Sequence, residues 1–418
     1  MIIANADSCI DTFFLNNSMP KNKLESYYLI AFSLLGIFPI VPFIVKPFLL
    51  LPLLFFSLIN LYFINKTEIN WKKIIISTSI FFLFIASAFY STDIERAIKL
   101  LIRLSPFLAL PISFGMVPKA IYARLTDVFI QVYTISCALL CFVIFIYCKS
   151  LNSSDILYVY SYISNEFWGY EDHPIYISLY CGIALILLLF KNKKSLLNIF
   201  LFITIFFTLL FLSRKGNIIS LLMILIIMLI SNSKRLLNRN ALIYTFIGLL
   251  IAIGVSFLFN NFLFTRFKEI INLGQFINNP ETSTGIRSIL WRISINLSFE
   301  SPFFGYGLGS VQTLLDSSLI ESGYQQLTLI HRYNAHNQYL QIALSSGYIG
   351  LACFLSILIY FFSELKKRNS KSALCVFLYV IFCFIFESLL ERQNGIIITA
   401  LFFNLFLFLP HKKEISHE

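Results

Sequence analysis

The chain has 418 residues, of which 58% are hydrophobic, 46 are Phe and only 13% are charged, against about 25% charged in an average soluble protein. With a mean hydropathy of +0.80, this composition excludes a soluble enzyme, a nucleic-acid binder and a disordered chain, and predicts an all-α polytopic membrane protein. The net charge of +11 is accordingly read first as a topology signal rather than as affinity for nucleic acid.

The N-terminus, residues 1–26, is polar and lacks the apolar stretch of a cleavable signal peptide, so it reads as a cytoplasmic tail. A spanning helix needs about 20 mostly apolar residues. Such runs predict about twelve transmembrane helices, near 27–44, 47–64, 74–91, 100–117, 126–147, 173–190, 195–212, 217–231, 241–261, 338–362, 372–388 and 395–410. Nine of them fall in 27–261 and three in 338–410, with a second tail at 411–418. With both ends inside, 19 of the 32 Lys and Arg fall on the inner side, in short basic stretches such as KNKK at 191–194, SKRLLNR at 233–239 and KKRNSK at 366–371. Two outer segments stand apart, about 149–172 and 262–337. The second is the only long polar stretch. Leu290, Ile293 and Leu297 recur there at helical spacing around Trp291, which predicts an amphipathic helix lying on the membrane surface.

The eight cysteines show no CxxC pair, and six lie in apolar runs, so they read as small core residues rather than as a disulfide framework or a zinc site. No P-loop, HExxH or Gly-rich nucleotide fingerprint occurs. Neither a metal nor another cofactor is expected. Glu387 is the only acid deep in the late helices, and so few mid-membrane acids disfavour a cation-coupled transporter.

Acid–base chemistry on the outer side has three candidates, His173, His331 and His336. His336 stands in YNAHNQYL, where the long polar stretch re-enters the membrane; a histidine there is either an interfacial hydrogen-bonder or a catalyst. Arg214 and Lys215 lie in LFLSRKGNII, a minimal turn between two apolar helices, and Arg287 lies in STGIRSILW. A dibasic pair in a short outer turn runs against the topology bias. It reads either as snorkelling or as an anion site, where guanidinium groups and a helix start meet phosphate.

Two further stretches, SPFFGYGLGS at 301–310 and AHNQYLQIALSSGYIGL at 335–351, resemble the signature of the O-antigen ligase and polymerase superfamily. In that pattern a Pro-x-x-Gly-x-Gly stretch precedes His-Asn-x-Tyr-Leu and then Gly-x-x-Gly. Weaker marks agree: DHPIY at 172–176, LSRKG at 212–216, GIRSILW at 285–291 with an extra Ile286, and ESLLERQNG at 387–395. The resemblance implies a GT-C-like fold with one large periplasmic loop at 262–337 containing amphipathic helices. It implies an inverting, metal-independent glycosyltransferase in the bacterial inner membrane, its active site facing the periplasm. The donor would be a glycan on undecaprenyl diphosphate and the acceptor a lipid A–core sugar hydroxyl. Arg214 and Arg287 would bind the diphosphate and His336 would be the general base. Lys215, Arg292, Gln338 and Tyr339 are further candidates for substrate contact, while Trp291, Gly305 and Gly307 would shape the loop. The motifs leave open a repeat-unit polymerase, a protein O-oligosaccharyltransferase, or, in a different class, a flippase of lipid-linked glycans. They do not address oligomeric state.

Overall fold

The computed structural model describes residues 21–61, 69–150, 172–191, 195–230, 248, 268–269, 271–301, 303–330 and 332–410. The predicted span at 241–261, the basic stretch at 233–239, most of the outer segment at 149–172, His331 and the C-terminal tail lie outside the described residues, apart from Gly248 in that span. Every regular element among the described residues is helical. In chain order these are α1 (Lys21–Gly36), a 3₁₀ turn (Lys46–Leu50), α2 (Leu51–Asn60), α3 (Trp71–Ala88), α4 (Ile94–Leu104), α5 (Pro106–Gly115) and α6 (Lys119–Ser150). There follow α7 (Pro174–Leu189), α8 (Leu196–Leu212), α9 (Lys215–Ile230), α10 (Leu273–Phe276), α11 (Ser283–Glu300), α12 (Val311–Glu321) and α13 (Gln325–Ile330). The chain closes with α14 (Gln338–Lys367), α15 (Lys371–Phe386), a 3₁₀ turn (Leu389–Glu391) and α16 (Gln393–Leu407).

The expected twelve-span architecture is corrected. Four described helices are long and apolar enough to cross a membrane: Trp71–Ala88, Ile94–Gly115 (α4 running into α5), Lys119–Tyr147 and Gln338–Lys367. Seven other apolar helices have 10–17 residues, and at about 1.5 Å per residue these fall short of the roughly 30 Å hydrocarbon core. Hydropathy overcounted for two physical reasons. A local stop cuts one run: α1 ends at Gly36, well inside the predicted 27–44. In addition, α7 and α16 are apolar on all sides because protein surrounds them. Nearly every side chain of Pro174–Leu189 and Gln393–Leu407 is buried, and an all-round apolar helix is as much a signature of a core as of a membrane span.

The stretch at 262–337 is corrected as well: its described part is not a loop of surface amphipathic helices. Ile289, Leu290, Ile293 and Leu297 of α11 join Val311, Leu315, Leu319 and Leu327 of α12 and α13 and Leu344 of α14 in one buried cluster. The apolar stripe of α11 thus faces protein, and α11 packs against α14. The larger core binds α1 to α6, α7 to α8, α5 to α3 and α16, and α15 to α9.

The two signature stretches clasp each other. The Tyr306 and Gly307 N–H groups donate to the Leu344 and Ser345 carbonyls at 2.7 and 3.0 Å, and the Ile349 N–H donates to Phe303 O at 3.3 Å. Gly347 interrupts α14 with φ 66 and ψ −173, a combination open essentially to glycine. A Cβ there would stand 2.1 Å from Phe303 O. The clasp thus fastens α14 some ten residues past His336, at the kink of Gly347.

Candidate active site

Four chain segments, joined by the cap of α7, converge at helix ends. The first is the turn from α8 to α9. Ser213, left-handed, closes α8 with its Oγ donating to Leu210 O at 2.9 Å. Arg214 O then accepts from the Asn217 and Ile218 N–H groups, both at 3.1 Å, so Arg214 sits at the mouth of α9. Gly216 lets this turn approach the end of α15, since a Cβ there would stand 2.6 Å from Phe386 Cβ.

The second segment is the start of α11, capped by Thr282, whose Oγ1 accepts from Gly285 N–H at 3.1 Å. One turn in, Arg287 is held from three sides. Its Nε donates to Phe386 O at 3.2 Å, Nη1 to Ser283 O at 3.2 Å and Nη2 to Glu387 Oε2 at 3.4 Å.

The third is the approach to α14. His336 has φ 46, an uncommon backbone state for a non-glycine residue. It is over-determined by its neighbours: its N–H donates to Asn334 Oδ1 at 2.9 Å, and its carbonyl accepts from Trp291 Nε1 at 3.3 Å. Asn337 then caps α14, its Oδ1 accepting from Tyr339 and Leu340 N–H. The fourth is the extended step after α15, where Glu387 is buried. Both of its carboxylate oxygens face His336 Nδ1, at 2.9 and 3.0 Å. Burial alone would raise the Glu387 carboxyl, but His336 when protonated, through its charge and hydrogen bond, and Arg287 behind it outweigh burial and bring the pKa to about 2.

Arg214, Arg287, His336 and Glu387 line one cavity of about 260 Å³, together with His173, Lys215, Tyr333 and Phe386. The cavity therefore gathers the two arginines and the histidine that the sequence singles out, from positions 122 residues apart. A second cavity of about 540 Å³ adjoins it, sharing Lys215, Gly216, Arg287 and Phe386 and walled by Ile219, Ile277, Trp291 and Ile295.

The remaining candidates are placed differently. Lys215 donates to Glu269 Oε2 at 2.8 Å and to Thr284 Oγ1 at 2.7 Å, at the boundary of the two cavities. Arg292 borders the second cavity and donates to Asn278 Oδ1 and Tyr324 OH. Gln338 is buried, its Oε1 accepting from Leu390 N–H at 2.7 Å, and Tyr339 OH donates to Ile381 O at 3.0 Å. Both bonds run towards the core, and neither residue lines either cavity. Sequence reasoning misses Glu387 as a site residue and takes His173 only as one of three outer histidines. The available signals were that Glu387 is the one acid deep in the late helices and that His173 is an outer histidine. Among the described residues no group of three or more His, Cys, Asp or Glu gathers as metal ligands would.

Residues 199–355 match the Wzy_C family, described as O-Antigen ligase. An uncharacterized protein of Haemophilus influenzae is 26% identical over 128 residues, which is 28% of this chain and 32% of that protein. The match thus spans about a third of that relative's length. The family match takes in Arg214, Arg287 and His336 and stops short of His173 and Glu387. By this match the chain carries, over part of its length, a domain of the O-antigen ligase superfamily, Wzy_C.

Proposed function

We propose that the chain is a glycosyltransferase that moves a glycan from undecaprenyl diphosphate to a sugar hydroxyl of lipid A–core, at the periplasmic face of the bacterial inner membrane. The observation that carries this reading is the joint placement of Arg214, Arg287 and His336 in one cavity, with Glu387 on the histidine's Nδ1. A carboxylate can only accept a hydrogen bond, so it holds the proton of a neutral imidazole on Nδ1 and leaves a lone pair on Nε2. That is the state a general base needs.

The chemistry follows from these groups. The acceptor hydroxyl gives its proton to His336 Nε2 as its oxygen attacks the anomeric carbon. The bond from that carbon to the diphosphate oxygen breaks on the opposite face, so configuration inverts. The electron pair leaves on the diphosphate, where the two guanidinium groups meet the developing charge. The diphosphate is already a good leaving group, so no metal enters the scheme. The adjoining apolar cavity suits the start of the prenyl chain, so that the charged and apolar ends of the donor would lie on opposite sides of Arg287, which lines both cavities.

The test uses the purified full-length chain in lipid, with undecaprenyl-diphosphate glycan and lipid A–core. The expected outcome is glycan on the core and free undecaprenyl diphosphate, lost in Arg214→Ala and His336→Ala. Transfer onto a second lipid-linked glycan would replace this reading with a polymerase. Transfer onto protein would replace it with an oligosaccharyltransferase, and movement of donor across the bilayer without transfer would replace it with a flippase.

A further inference from the structure

His173 is the second histidine of the polar cavity, and its ring is wired in the opposite sense to that of His336. His173 caps α7, and its Nδ1 accepts the Ile175 backbone N–H at 3.3 Å. A backbone N–H can only donate, so this nitrogen must present a lone pair, and the one proton of a neutral imidazole is then on Nε2. His336 faces a carboxylate through the same Nδ1 atom and so carries its proton there. One cavity of about 260 Å³ is therefore lined by a ring whose Nε2 accepts and a ring whose Nε2 donates.

His173 is an exposed residue whose ring is tied by its one cap bond, and its surroundings favour the neutral form. The residue opens onto the cavity, yet the protein packed around the ring disfavours its charged form, and the Arg214 charge adds to this, lowering the pKa to about 4. Directly before it, Asp172 is fully buried, ion-paired with Lys46 and hydrogen-bonded by Asn394 Nδ2. Pro174 follows at the first position of α7. The backbone that carries the ring is thereby pinned to the N-terminal region and to α16.

We propose that the Nε2–H of His173 donates a hydrogen bond to the diphosphate oxygen that departs from the anomeric carbon, a role that rests on the transfer reading above. In that step the new bond joins the acceptor oxygen to the anomeric carbon, and the bond to the diphosphate oxygen breaks with its electron pair on the oxygen. The acceptor proton resides on His336 until water removes it. His173 keeps its own proton and shares it with the leaving oxygen as a hydrogen bond, so it turns over without being reset.

The test separates the cap from the donor. Asn is among the best N-cap residues, and its Oδ1 can take over from Nδ1, but its amide does not reach the Nε2 position. Gln places an amide N–H near that position and caps poorly. For His173→Asn, thermal stability and donor KM are expected to stay close to wild type while kcat falls about 10²-fold, the scale for removing one donor to a developing oxyanion. His173→Gln should recover about tenfold of that loss in spite of lower stability, since an amide donor restores part of the same hydrogen bond. Wild-type kcat in His173→Asn would reduce His173 to a cap and overturn the inference, as would a His173→Gln chain no faster than His173→Ala. Arg214→Ala and His336→Ala are run beside these variants. If both transfer at the wild-type rate, the site reading on which this role rests falls, and if the wild-type chain transfers no glycan, the glycosyl-transfer reading itself falls. If both fail while every His173 variant is unaffected, only the role of His173 falls.

Discussion

The two adjoining cavities are built in different ways. The polar one, with Arg214, Arg287, His336, Glu387 and His173, is made almost wholly from helix ends: the start of α9, the first turn of α11, the step into α14, the step out of α15 and the cap of α7. The apolar one is made from helix flanks, with Thr284, Ser288, Trp291 and Ile295 following one another along a face of α11 and Ile219 contributed by α9. Charged side chains at helix ends find free backbone carbonyls and N–H groups to hold them, as Arg287 does with Phe386 O at the end of α15. Apolar side chains need only the 3.6-residue period to form a wall. The proposed donor, with a charged head and a hydrocarbon tail, would meet both surfaces, and Arg287 is common to the two.

The comparison breaks most visibly at the histidine. His336→Ala should lower kcat by about 10²–10⁴-fold, the usual weight of a general base, with donor binding retained in equilibrium measurements. A chain that lost binding but not turnover would put His336 among the binding groups instead. Next in size, Arg214→Ala and Arg287→Ala should each cost about 10²–10³-fold in kcat/KM, as loss of one preorganised charge donor does. Arg287→Lys should not restore it, because an ammonium cannot reproduce the three-way hold on Phe386 O, Ser283 O and Glu387.

A smaller effect is expected on the apolar side. Ile295 is 42% exposed, so replacing it with Ser spares the core. KM for the undecaprenyl donor should rise by up to about tenfold, the value of one apolar side chain's burial, and KM for a donor with a short prenyl chain should not change. Equal effects on both donors would show that the groove does not take the tail. The smallest effect concerns pH. The Glu387 pKa is depressed from 4.5 to about 2, so its contribution to stability is fully present above about 4.5 and is lost as pH falls towards about 2. The melting-temperature gap between wild type and Glu387→Gln should narrow as pH falls below about 4.5. A gap that closes already near pH 6 would mean that the carboxylate is not held by His336 and Arg287.

Three of the polar cavity's residues, Arg214, Arg287 and His336, are marked in the sequence itself. Arg214 stood out because a dibasic turn opposes the charge bias of its surroundings, and Arg287 and His336 because their motifs sit at helix starts. Glu387 was not legible as a partner. It lies 51 residues from His336, and no local pattern tells a carboxylate which base it will face. Gln338 and Tyr339 teach the reverse. Both adjoin His336 in sequence, but its left-handed backbone and the cap of Asn337 turn the chain at that point. Their side chains consequently bond Leu390 N–H and Ile381 O, away from the cavities.

The opening composition supports an apolar, all-helical chain, and the order of its motifs points to a glycan-handling site. These are local or additive properties, carried by side-chain type and by spacing within a few turns. Which apolar helices are long enough to cross a membrane and which are buried core was decided by tertiary packing. Hydropathy sums transfer energies and is blind to whether lipid or protein surrounds a helix. Packing also decided that 283–330 folds onto α14 instead of lying on a surface, and that Glu387 closes on His336. Both depend on contacts between residues far apart in sequence, whose pairing only the folded chain specifies.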